Sequence, residues 1–141
     1  MSTASKAAQR GVLDTSTVIL LKRLENASAL PAQPLITTVT LVELAVGPIV
    51  AADEMVRSRR QAHLQQAEAS FDCLVFDAAA ARAFGGVSAS LRRAGRKVKA
   101  RTFDAMIAAI ALANDLPLYT ANPDDFAGID GLVVVTVPIP E

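Results

Sequence analysis

Acids in this chain stand where strands end or helices begin: Asp14, Glu43, Asp104, and after the fourth strand Asp124 and Asp125, either of which makes a set of four. Asp14 follows the apolar pair Val12-Leu13, and Asp125 lies near the end of the stretch LYTANPDDF at 118–126. Glu43 and Asp104 fall in the early turns of two helical patterns. Carboxylates gathered in one place repel, and without a cation some of them must be protonated at neutral pH. Hard divalent ions such as Mg²⁺, with Mn²⁺ as the alternative, remove that repulsion and take oxygen ligands. One or two such ions orient a water, lower its pKa and stabilise charge on an in-line phosphate. The rest of the inventory narrows the choice. His63 is the only histidine and Cys73 the only cysteine, which excludes an ordinary His/Cys zinc site and argues against thiol or Ser-His-Asp chemistry. The absence of a G-x-x-x-x-G-K loop argues against an NTPase. Metal-assisted phosphodiester hydrolysis is the chemistry to which the inventory points. Asp104 taken alone has a plainer account, since an acid in a first helical turn complements the helix dipole.

The elements that must position these acids can be read from periodicity. Val12 and Leu13 begin a strand, and Thr15 or Ser16 caps a helix through Val18, Leu21 and Leu24. Leu35 and Ile36 make a second strand. Thr37 or Thr38 caps the next helix, with Glu43 in its second turn and Gly47-Pro48 as its stop. A polar helix from Ile49 to Ala69 is too sparsely apolar for deep burial and is expected on the surface or against a partner. Cys73 to Phe76 reads as a continuous apolar strand with Cys73 buried, and Asp77 caps a helix carrying Ala80, Phe84, Val87 and Leu91. The stretch TFDAMIAAIALAN at 102–114 is an alanine-rich helix whose stripe is Met106, Ile107, Ile110 and Ala111. Asn114 is placed to end it in a left-handed conformation, and Pro117 cannot continue it. Leu118 to Thr120 and Leu132 to Val135 are the last two strands. Short apolar strands separated by helices describe an α/β fold, an αβα sandwich around a five-stranded parallel sheet. Ligands in such sheets bind at the carboxyl ends of the strands, where strand order reverses. All four acids are predicted to converge on that rim.

At 141 residues the chain is one domain, read as 11–141 after a flexible leader at 1–10. That leader lacks the apolar core of a signal peptide, and no run approaches the length of a membrane span, so a soluble, cytoplasmic protein with no membrane contact is expected. Fourteen Lys and Arg balance fourteen Asp and Glu, which argues against a globally basic coat. The distribution is uneven. Between Asp77 and Asp104 there is no acid, while Arg92, Arg93, Arg96, Lys97, Lys99 and Arg101 crowd the approach to Asp104. Such a run is usually a solvated face, and its position just before Asp104 sets contact with phosphates beside that reading on equal terms.

V-L-D-T-S at 12–16, T-x-x-x-x-E-L at 38–44, D-A-M-I-A-A at 104–109 and L-Y-T-A-N-P-D-D-F at 118–126 together resemble the PIN-domain ribonucleases, and among them the VapC toxins. The similarity runs from Val12 to about Val135. It implies a Mg²⁺-dependent endoribonuclease held inactive by a VapB-type antitoxin, with a homodimer as a further expectation. Asp14, Glu43 and Asp104 match the family's three core acids. For the fourth place the resemblance favours Asp125, with Asn122 as a neutral hydrogen-bonding helper and Asp124 as a solvated turn residue. Thr15 and Ser16 are supporting candidates beside Asp14. Two other classes of function are weighed against this one. A non-catalytic PIN-like binding module need not keep all four acids. A haloacid-dehalogenase-type phosphotransferase pairs its strand-end Asp with an Asp two residues on, where this chain has Ser16.

Overall fold

A computed structural model describes residues 9–24 and 27–140 of the chain. Of the expected leader, residues 1–8 lie outside the described residues, Gln9 is in a turn, and Arg10 opens β1 (Arg10–Leu13). The apolar pattern places Gly11, Val12 and Leu13 of β1 in the interior. Gly11 is required by a close approach. A Cβ there would lie 2.5 Å from Cε1 of Tyr119, whose ring crosses over the strand.

The remaining strands are β2 (Gln33–Thr37), β3 (Asp72–Leu74), β4 (Leu118–Thr120) and β5 (Val134–Thr136). All pair in parallel, in the order β3-β2-β1-β4-β5. The chain therefore builds outward from β1 through β2 to β3, then returns to place β4 on the other side of β1. That reversal lies between β1 and β4, so their carboxyl ends form the crevice that suits a ligand in a parallel sheet.

Helices α1 (Thr15–Leu20), α2 (Thr38–Ile49), α3 (Glu54–Ser70), α4 (Ala78–Arg93) and α5 (Thr102–Ala113) cover both faces. Alternation along the strands decides which face each residue serves. Val12 and Leu118 point to the side of α4 and α5, where they join Val87, Leu91, Ile107 and Ile110. Leu13 and Tyr119 face α1 and pack with Val18 and Leu21, while Ile36 meets Leu44 of α2 and Ala67 of α3. Ala105 and every residue from Ile107 to Ala111 are at most 1% exposed. Helix α5 is thus buried nearly all round. Its alanines let it sit close to both sheet and α4, so Asp104 in its first turn is held rigidly.

Several local expectations are corrected. Asp14 itself, rather than Thr15 or Ser16, caps α1 by accepting from the Thr17 amide, and Thr37 caps α2. Helix α2 runs past Gly47 to Ile49 with Pro48 buried inside its last turn, where the ring's helical φ is kept and the loss is the one amide donor toward the Leu44 carbonyl. The polar helix α3 starts only at Glu54, capped by Asp53, and Ala67 is its one fully buried residue. Asp115 (φ 55°), not Asn114, takes the left-handed conformation after α5, while the Asn114 side chain donates back to the Ile110 carbonyl at 2.8 Å. Cys73 is exposed. It lies on β3, an edge strand that pairs only with β2, so its apolar run is not covered as a central strand would be. The last strand begins two residues later than predicted, at Val134.

Candidate active site

Asp14 is 3% exposed, and four hydrogen bonds converge on its carboxylate. Oδ1 accepts from the Thr17 amide at 3.1 Å and from the Thr17 hydroxyl. Oδ2 accepts from Ser16 Oγ at 3.0 Å and from Thr120 Oγ1 at 2.8 Å. The two threonines are fully buried, and their proton directions are fixed by what they accept. Thr17 Oγ1 accepts from the Ala121 amide at 3.0 Å, and Thr120 Oγ1 from the Asn122 amide at 2.9 Å. Each hydroxyl is therefore a one-way link from the loop after β4 to Asp14. Ser16 is the half-buried, exchangeable member of the set, and Asn122 Nδ2 donates to its oxygen at 3.1 Å. Thr17 and Thr120 were not among the sequence candidates. Their only signal is a hydroxyl inside an otherwise apolar stretch next to a motif acid.

Glu43 is half-buried in α2. Its Oε1 accepts from Thr15 Oγ1 at 2.7 Å, and Thr15 in turn lies 2.9 Å from Thr40 Oγ1. Burial raises the Glu43 carboxyl above its ordinary range, and the charge of Asp14 adds to the rise, while the Thr15 hydrogen bond opposes it. Removing that bond should raise it further. Thr15→Val is accordingly expected to move the acid limb of the pH–rate profile to higher pH, read from kcat/KM across the acid range. An unmoved limb would remove Glu43 from the ionisations that matter.

The Asp104 carboxylate accepts no hydrogen bond among the described residues. Burial pushes its carboxyl up to about 6, and the charges of Asp125, Glu43 and Asp14 add to the rise, against a smaller opposing effect of Arg101. One side chain in the first turn of α5 therefore feels all three of the other acids. Asp125 lies in the short 3₁₀ turn Pro123–Phe126, which is pinned by Phe126 at 1% exposure. Its Oδ1 is 3.7 Å from Arg101 Nη1, whereas Asp124 points to solvent. Among the described residues no three carboxylates stand close enough to hold an ion as they are. The donor set itself fits a hard divalent cation: four carboxylates around one rim, no soft ligand, and an acid whose ionisation the others oppose.

The PIN domain family model matches residues 12–132. The chain belongs to the PIN-domain family. This PIN domain is 38% identical over 139 residues to Ribonuclease VapC5 of Mycobacterium tuberculosis, covering 97% of this chain and 98% of that relative. It is 37% identical over 97 residues to the tRNA(fMet)-specific endonuclease VapC of Shigella flexneri, covering 69% and 70%. Its fold matches a chain in the crystal structure of VapBC-5, a toxin–antitoxin system member from Mycobacterium tuberculosis, with a TM-score of 0.78, 37% identity and coverage of 93% and 99%. The αβα sandwich and the resemblance to VapC-type PIN domains are thereby shown.

The basic segment of this PIN domain divides into two groups. Arg93 pairs with Asp130 at 2.7 Å, Arg96 donates to the Ala127 carbonyl at 2.8 Å, and Arg101 reaches both the carbonyl and the carboxylate of Asp125. These three brace the loop that carries Asp125. Arg92, Lys97 and Lys99 are exposed and make no ion pair among the described residues. Lys99, Arg101, Thr102 and Phe103 line a cleft of about 490 Å³ that has Glu43 and Asp104 as its acidic wall.

Proposed function

We propose that this protein is a divalent-metal-dependent endoribonuclease and the toxin half of a VapBC-type pair, held inactive by a VapB-type antitoxin. One observation carries the reading: the Asp104 carboxylate, which accepts no hydrogen bond among the described residues, is pushed up to about 6 by burial and by the nearby charges of Asp125, Glu43 and Asp14. The similarity to VapC5 and to the Shigella flexneri endonuclease supports RNA as substrate, and the VapBC-5 complex supports an antitoxin as partner. Asp14 and Asp104 hold Mg²⁺ or Mn²⁺, with Glu43 and Asp125 completing the set. When bound, the ion acidifies and orients a water and offsets charge on the phosphate. Thr17 and Thr120 hold Asp14 in one orientation. Asn122 holds Ser16, whose rotation frees one lone-pair direction of Asp14. A homodimer belongs to the same reading. The solvent-facing stripe Val42, Val46 and Ile49 on α2 is 47–82% exposed, an apolar surface that association would cover.

The test is cleavage of total cellular RNA with Mg²⁺ and with EDTA, beside Asp104→Asn. Cleavage confined to the parent with Mg²⁺ is expected, and intact RNA in every lane would remove the nuclease reading. The cation grouping also sets what salt should do. If only Arg92, Lys97 and Lys99 meet phosphates, log K against log salt should have a slope near −2, at about −0.7 per contact on single-stranded RNA. A slope near −4 would mean that Arg93, Arg96 and Arg101 leave their intramolecular partners to bind as well.

A further inference from the structure

The acids of the rim are held in two different ways. Asp14 and Glu43 take hydroxyl partners, Ser16, Thr17 and Thr120 on the first and Thr15 on the second. Asp104 and Asp125 accept from no hydroxyl among the described residues, and what they share is a guanidinium. Arg101 ends the 3₁₀ turn Lys99–Arg101 that leads into α5, three residues before Asp104. Its Nη1 lies 3.7 Å from Asp125 Oδ1 and donates to the Asp125 carbonyl at 3.3 Å. Of the charges that act on Asp104, Arg101 is the one that offsets the carboxylates. The other braces reach no member of the acid set, since Arg93 pairs with Asp130 and Arg96 with the Ala127 carbonyl.

The hold on Asp125 is loose. A guanidinium carries several N–H donors in a planar fork, yet here one nitrogen serves both the carbonyl and the carboxylate at long range. The two-pronged pairing with a carboxylate, at about 2.8 Å per bond, is not formed. The remaining donors meet no acceptor among the described residues. The side chain is half-buried in the wall of the cleft beside Lys99, so it can turn on its stem without disturbing the core. A divalent ion held by Asp104 and Asp125 sets two cations against the same oxygens. Repulsion then favours departure of the guanidinium, whose fork has the shape that meets a phosphate.

We infer that Arg101 is an exchange residue: it holds Asp125 in the metal-free protein, yields that carboxylate when the ion is held, and turns to a phosphate of the RNA. This rests on the metal-dependent ribonuclease reading and adds to it a coupling between ion and substrate. The ion frees Arg101 for the RNA. An RNA phosphate that draws Arg101 away from Asp125 favours the ion by the same factor.

The test compares the parent with Arg101→Gln and Arg101→Lys, all as full chains. It measures Mn²⁺ binding by calorimetry without RNA, and RNA cleavage at saturating Mn²⁺. Arg82→Gln controls for lost charge, since Arg82 is exposed on α4 and pairs with no acid among the described residues. Arg101→Gln should bind Mn²⁺ about threefold or more tightly than the parent, because the competing cation is gone. It should also cleave RNA about tenfold or more slowly, because the phosphate contact is gone. Arg101→Lys keeps the charge without the fork, so its Mn²⁺ affinity should lie within about twofold of the parent and its cleavage should recover only in part. Arg82→Gln should bind Mn²⁺ as the parent does, and equal tightening there would reduce the effect to net charge and overturn the exchange. Weaker Mn²⁺ binding by Arg101→Gln would show that Arg101 only positions Asp125, and unchanged binding that it is only a solvated cation; either result overturns the exchange. Tighter binding with parental cleavage would overturn it too, since no phosphate contact was lost. In each of these cases Mn²⁺-dependent cleavage by the parent leaves the nuclease reading standing. A parent that neither binds Mn²⁺ saturably nor cleaves RNA would sink both.

Discussion

In the Asp104→Asn protein, RNA cleavage should fall at least ~100-fold while the metal-free fold becomes more stable at pH 7. The two effects have one cause. The Asp104 carboxyl is raised from its ordinary 3.8 to about 6, first by burial and then by Asp125, Glu43 and Asp14. A carboxyl raised in the folded state holds its proton more tightly there than in the unfolded chain. The stability it contributes is complete below pH 3.8 and is lost as pH climbs through about 6. At pH 7 the parent bears that loss in full and the asparagine variant does not. The shift alone corresponds to about 3 kcal/mol. Solvent screening of a partly exposed group cuts this to about 1–2 kcal/mol, or a rise in Tm of about 3–8 °C for a domain of this size. Below pH 4 the two proteins should melt together. Glu43, raised mainly by burial, works in the same direction and leaves some pH dependence in the variant. A variant that melts below the parent at pH 7 would show that Asp104 stabilises the fold as a helix-dipole partner instead.

The same substitution at Asp14 should have the opposite effect on the fold. Asp14→Asn is expected to lose activity as Asp104→Asn does, but to destabilise the protein by about 2–4 kcal/mol. An asparagine keeps one accepting oxygen and presents an NH₂ group in place of the other. Turned either way, that donor faces Thr17 or the pair Ser16 and Thr120. The two threonines already accept from the Ala121 and Asn122 amides. Either could accept from the new amide only by leaving its own proton without a partner in a fully buried place. Urea denaturation at pH 7 measures the loss directly. Equal stability of parent and variant would mean that the hydroxyl clamp on Asp14 contributes nothing to the fold.

These opposite signs trace what could be read from the sequence. The place of Asp104 in the first turn of a buried helix was legible because TFDAMIAAIALAN declares that helix. The parallel sheet was legible because Val12-Leu13, Leu35-Ile36 and Leu118-Tyr119 are apolar on both faces. The clamp on Asp14 was not, since Thr17 reaches the Ala121 amide across 104 residues, and no local pattern marks a threonine as buried. The exposure of Cys73 was hidden for a related reason: a short apolar run reads the same at the centre of a sheet as at its edge. The basic segment was visible as a run, but its division was not. Which arginines brace the loop at 125–130 depends on where that loop packs against the end of α4 and the start of α5.

Whether the carboxylates hold an ion is tested most directly by the protons that metal binding releases. At pH 6, near its own titration point, Asp104 is about half protonated in the metal-free protein, and a ligating carboxylate must give up its proton. Calorimetric titration of Mn²⁺ or Mg²⁺ into the parent in two buffers of different ionisation heat should show saturable binding with about half a proton released per ion from Asp104, with any release from Glu43, whose carboxyl is also raised, added to it. At pH 8 the release should vanish while binding tightens. In Asp104→Asn the binding should weaken and the Asp104 share of the release should disappear. No saturable binding by the parent, or binding with the same proton count in both proteins, would contradict the assignment of Asp104 as a metal ligand.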